Sequence, residues 1–158
     1  MKRKVYFCKS WFRAKKCPIE NWSSEQAKTA HDQGLPYTVL VDSVEQPYCF
    51  LEVTENAVGV GFLDEKLRES LTYGFQKMES GGLFLTMATY REFINDTDRV
   101  ANGTSYTFDR NGAVSIQRDI FSPEHKVETS SSVADVTGNY CAMPVFGEYD
   151  ELIRVERE

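Results

Sequence analysis

The sequence predicts a mainly β fold (α+β): an antiparallel β-meander, arranged as a sandwich or partly closed barrel, with one short surface helix near its start. Three observations carry that expectation. Apolar residues alternate with polar ones over several short stretches, as in Leu71, Tyr73 and Phe75 against Thr72, Gly74 and Gln76, the period-two signature of a strand with one wet face. Turn-forming residues separate these stretches at spacings too short for crossover helices, which disfavours parallel βαβ units. Aromatic residues make up 13% of the chain, a share that suits a β-rich core.

A first strand is expected around Lys4–Cys8. Ser23 and Gln26 then stand at capping-box spacing, so a helix should start at Ser24 and run to about Gln33, where Gly34 supplies a left-handed cap and Pro36 prevents continuation. Only Ala27 and Ala30 are clearly apolar on it, which puts it on the surface. Strands follow near residues 37–43, 47–54, 57–63, 70–78, 82–90, 104–109 and 112–120. The Asp109-Arg110-Asn111-Gly112 turn is the best hairpin signal among them. The Ser-rich stretch at about 128–137 reads as a mobile loop. The apolar residues between Tyr140 and Glu158 read as a segment that docks back on the body.

A chain of 158 residues is long enough for one self-sufficient core, so a single domain over 1–158 is expected. No run approaches the roughly 18 apolar residues of a spanning helix, and the apolar run after Lys4 ends at Lys9, too short for a signal-peptide core. These features point to the cytoplasm. Cys8, Cys17, Cys49 and Cys141 then read as free thiols, and the glycosylation triplets at Asn21, Asn95 and Asn102 carry no weight.

The net charge of −6 is unevenly distributed. Residues 1–19 form a basic arm with seven cations and no acid, leaving 11 basic against 24 acidic residues in the remainder. Such a body repels polyanions and favours a basic protein partner.

Catalytic and metal signatures are missing. His31 and His125 are the only histidines, and both fall in segments read as solvated. No Cys-x-x-Cys pair suggests zinc, no phosphate-binding Gly-rich fingerprint occurs, and acidic pairs such as Asp64-Glu65 and Asp150-Glu151 sit in turns, where carboxylates solubilise. No cofactor is therefore expected. Val58-Gly59-Val60-Gly61-Phe62 places two glycines on one strand face, which marks curvature or close approach. The visitor there is either a ligand or the indole of Trp11 or Trp22, and the indole is favoured.

The leading expectation is a non-catalytic protein-binding domain, an inhibitor or an immunity protein of the bacterial toxin-neutralising type, that meets a basic partner. Asp64, Glu65, Glu148, Tyr149 and Asp150 are its candidate contacts, with the aromatic as anchor and the carboxylates around it. Two alternatives stand behind it. A small-molecule-binding β-barrel would hold an apolar ligand in its mouth. Nucleic-acid binding would use Lys9, Trp11, Arg13, Lys15 and Lys16, which interleave cations with aromatics, although the acidic body opposes it. Edge strands leave a homodimer open.

Overall fold

The computed structural model describes residues 3–155. The strands are β1 (Val5–Phe12), β2 (Cys17–Trp22), β3 (Tyr37–Val41), β4 (Cys49–Val53), β5 (Ala57–Leu63), β6 (Glu69–Lys77), β7 (Leu83–Phe93), β8 (Val100–Phe108), β9 (Ala113–Ile120), β10 (Lys126–Val133) and β11 (Tyr140–Cys141). One helix, α1 (Ser24–Asp32), and a 3-10 turn at Thr137–Asn139 complete the set. All strands join one antiparallel sheet in the order β10-β9-β8-β7-β6-β5-β4-β3-β1-β2, with β11 added beside the start of β7. The sheet has two ends and does not close, so no barrel mouth forms.

Helix α1 starts as its sequence dictates. Ser23 Oγ accepts from Gln26 N–H at 3.2 Å while Gln26 Oε1 accepts from Ser23 N–H at 2.9 Å, and Gly34 follows at φ +70°. The helix buries Ala27 and Ala30 against the sheet. Small side chains there let the helix backbone lie close to the strands.

Two expectations need correction. Residues 128–133 are not a loop: they belong to β10, whose eight residues pair with β9 without a register break, and only 134–136 run as loop before the 3-10 turn. All eight are exposed, so no apolar alternation announces the strand, and the backbone ladder alone holds it. The basic arm, of which residues 3–19 are described, is built into the sheet further than its expected first strand at Lys4–Cys8. β1 lies between β3 and β2 inside the sheet, and β2 escaped notice because Pro18 argues against an interior strand. At an edge, proline is tolerated.

The core is two-sided. On one face Val39, Leu51, Val60, Tyr73 and Phe75 pack beneath α1 and the segment carrying Tyr149, Leu152 and Ile153. The other face holds a smaller cluster of Cys8, Leu40, Phe50 and Trp11. Pairing of β1 with β2 lapses at Lys9 and Glu20, where Glu20 takes φ +51°, and beyond that point the Trp11 ring stacks on Phe50 at 5.8 Å and 22°. Exposed ion pairs tether the hairpin tip, with Arg13 on Glu52 and Glu69 and Lys16 on Asp98.

The paired glycines of β5 play different parts. A Cβ on Gly61 would stand 2.5 Å from Phe50 Cζ and 2.8 Å from Glu69 Oε1, whereas a Cβ on Gly59 would meet nothing within 4 Å. The close visitor is thus the Phe50 ring, pressed down by Trp11 rather than by a ligand. Gly61→Ala should cost about 2 kcal/mol or more because Phe50 has no room to retreat, and Gly59→Ala should stay within about 0.5 kcal/mol. Urea denaturation of the two variants checks this; equal effects would refute the packing account.

Outward from β7 the sheet stands bare. β8 has no fully buried residue, β9 has only Val114, and β10 has none.

Candidate functional site

The chain between β11 and Ile153 makes a compact turn at the end of the sheet where α1 stops and β4 turns into β5. Phe146 stacks on Phe7 at 5.0 Å and meets His31 edge-on at 5.7 Å. Tyr149 is buried, with its hydroxyl 2.9 Å from that of Tyr37, which lies 2.8 Å from His31 Nδ1. Burial, then its bond to Tyr149, pushes the Tyr37 phenol well above its usual pKa; burial raises Tyr149 too. These anchored aromatics turn the chain tightly at Gly147, φ +89°, and leave Val145, Glu148 and Asp150 facing water.

Two shallow depressions flank this turn and share Met143 and Pro144. One, about 380 Å³, includes Val145, Glu148, Asp150 and Glu151. The other, about 400 Å³, includes Asp32, Leu35 and Glu55. Val145 is 66% exposed and Leu35 52%, so an apolar centre sits within a rim of carboxylates. Among the described residues no Lys or Arg lines either depression.

The sequence-based candidates divide. Glu148 and Asp150 are at this surface, but Tyr149 is not an exposed anchor: its ring is in the core, because alternate residues of the turn face inward. Asp64 and Glu65 lie at the opposite end of β5 from Glu55, roughly 20 Å away for a seven-residue strand. Asp64 is also engaged, accepting from the backbone N–H groups of Lys66 and Arg68 and from Arg68 Nε at 2.8 Å. Burial works against its charge, but those bonds outweigh it and hold the carboxyl below its ordinary pKa. Leu35, Glu55 and Val145 were missed, since nothing in sequence brings residues so far apart onto one patch.

The cationic set lies on the β1–β2 hairpin, where Trp11, Arg13 and Lys16 line one depression with Arg68, Arg91, Glu69 and Asp98, but most of its members are engaged within the chain. Trp11 is 4% exposed, its ring occupied by Phe50. Lys9 lies 3.8 Å from Glu20, and Arg13 and Lys16 are held by the carboxylates named above. Lys15 is exposed. A stacking platform for bases needs open rings, and Trp11 does not offer one.

Two buried thiols, Cys8 and Cys49, are tuned away from nucleophilic use. Burial pushes Cys8 up to about 11, with a backbone hydrogen bond at Ser10 working the other way, and burial likewise raises Cys49. A nucleophilic thiolate needs the reverse shift. His125 lies on the Phe121 ring, 3.7 Å from Asp119. Among the described residues no group of three His, Cys, Asp or Glu side chains is arranged to hold a metal ion, and no helix is long and apolar enough to cross a membrane.

The chain matches no family model, no curated protein and no solved structure.

Proposed function

We propose that this protein is a non-catalytic binding domain that takes a basic protein partner at the surface around Val145, in the manner of an inhibitor. The observation that supports this most is the mixture of side chains along the two depressions: carboxylates, among them Glu55 and Asp150, line them together with the apolar Leu35, Met143, Pro144 and Val145, while Asp32 beside them is already paired with Lys28 at 2.8 Å. An apolar centre with a polar rim is how specific interfaces are built. A rim of one sign speeds encounter with a partner of the other and selects for it. Partly buried Phe146 and buried Tyr149 fix the turn before any partner arrives, which lowers the ordering cost of association.

The test is affinity purification of the tagged protein from its source lysate at two salt concentrations, with the eluate identified by mass spectrometry. One stoichiometric basic protein retained at moderate salt is the expected result. Val145→Asp should weaken its binding by about 2 kcal/mol, roughly 30-fold, if Val145 is a central anchor. Glu55→Lys with Asp150→Lys should slow association and flatten its salt dependence. A retained partner indifferent to all three substitutions would move the binding surface elsewhere, and no basic protein at either salt would sink the proposal.

A further inference from the structure

β10 ends the sheet, and among the described residues no strand pairs with its outer side, where the Val133 carbonyl accepts only from Ser132 Oγ at 3.4 Å. In an antiparallel ladder, alternate residues of a strand bond to one neighbour, and the residues between them turn N–H and C=O the other way. Ala134 N–H donates to the Gly112 carbonyl at 2.8 Å, and Val133 pairs with Ala113. The even-numbered residues therefore bond to β9, while Val127, Thr129, Ser131 and Val133 direct their backbone groups outward.

Proteins blunt such edges with proline, bulges, short strands or charges placed along them. The other end of the sheet is treated in this way, since β2 carries Pro18 and a left-handed Glu20. β10 is eight residues long, has no proline and shows no register shift, and its charges, Lys126 and Glu128, are confined to its first half. From Thr129 to Val133 nothing guards it.

We infer that β10 pairs antiparallel with β10 of a second copy of this chain, about a two-fold axis passing at Ser130. Outward-facing groups must meet outward-facing groups, so Val127 faces Val133 of the second copy and Thr129 faces its Ser131, each pair exchanging both backbone hydrogen bonds. In this register the valines, 52% and 83% exposed in the single chain, cover each other as cross-strand pairs. Glu128 falls opposite Ser132 and Lys126 opposite Ala134, so no like charges oppose. That self-complementarity favours a second copy over an unrelated extended segment. The interface is isologous and closes after two chains.

Sedimentation of the full chain over a concentration series reaching the millimolar range tests this. The expected species has twice the 18.1 kDa of the chain. Thr129→Pro removes an outward N–H and leaves the β9 ladder intact, and Ser131→Lys adds a guarding charge; each should restore the single-chain mass with an unchanged circular dichroism spectrum. The register is read separately by oxidative cross-linking. Ser130→Cys places its thiols across the axis, where facing Cα atoms of a non-hydrogen-bonded pair are about 4.5 Å apart and within disulfide range. Ser132→Cys alone should not cross-link above the wild type, while Glu128→Cys with Ser132→Cys should. A wild type at single-chain mass throughout would overturn the inference, whether or not the edge takes up an extended peptide. So would a doubled mass that survives both edge variants, or cross-linking as efficient at residue 132 as at 130.

Discussion

Stability is expected to fall steeply above about pH 8.5, leaving the protein unfolded near pH 11. Cys8 and Cys49 are fully buried, and Tyr37 and Tyr149 are 2–3% exposed or less. All four have pKa values raised by burial as the leading cause. The folded state keeps their protons where the unfolded chain releases them, so the unfolded state binds fewer protons and stability declines as pH rises. Each such group contributes about 1.4 kcal/mol per pH unit once the pH exceeds its unfolded value, about 8.5 for a thiol and 10 for a phenol. The two thiols give a slope of about 3 kcal/mol per unit, and the raised phenols of Tyr37 and Tyr149 steepen it further beyond pH 10. The Cys8 share levels off near its folded value of about 11. Ordinary domains hold about 5–15 kcal/mol in total, so two units of alkalinity consume much of it. Urea midpoints between pH 8 and 10.5 measure the decline, and Tyr149→Phe should flatten the part above pH 10. A midpoint constant over that range would show that these groups reach water in the folded state.

Trp11→Ala should cost about 3–5 kcal/mol, the range for truncating a buried tryptophan. The indole is the lid of the smaller cluster, and its removal uncovers Phe50 and Leu40 together. The side-chain ties that remain at the hairpin tip, Arg13 to Glu52 and Glu69 and Lys16 to Asp98 and the Lys66 carbonyl, are solvent-accessible in part, and each such ion pair is worth about 0–1 kcal/mol. They cannot hold the tip alone. Beyond the shift in urea midpoint, the turn at Ala14 and Lys15 should become a site of rapid proteolysis, whereas Arg13→Ala should change stability by less than about 1 kcal/mol. A loss under about 1 kcal/mol in Trp11→Ala would show that the stack with Phe50 forms without being needed.

What could be read in the sequence follows from which interactions are local. The capping box of α1 uses residues three apart, and β6, β8 and β9 announce themselves by period-two alternation, whereas β3, buried at all five residues, reads as a continuous apolar run. β10 has no packed face and so no alternation; its partner is a backbone, which composition does not describe. The acidic turn near Glu148 was legible as a surface feature. The burial of Tyr149 was not, because it depends on Tyr37, far away in sequence, and the same holds for Trp11 and Phe50. The patch around Val145 draws on α1, the turn after β4 and the segment after β11, an assembly that only tertiary structure creates.

The order of the sheet also bears on how the chain reaches this state. From β3 to β10 every strand pairs with the next one along the chain, so each pairing closes a short loop and forfeits little chain entropy. The meander can therefore form by successive local steps. Its main apolar face gains its full cover only when Tyr149, Leu152 and Ile153 dock, and these come after almost all of the strands. Between those events the sheet presents Val58, Val60 and Phe75 to solvent, the kind of surface through which partly folded chains aggregate. Recovery on refolding is thus governed by the race between this docking and intermolecular capture, and it should fall as protein concentration rises even when strand pairing is fast.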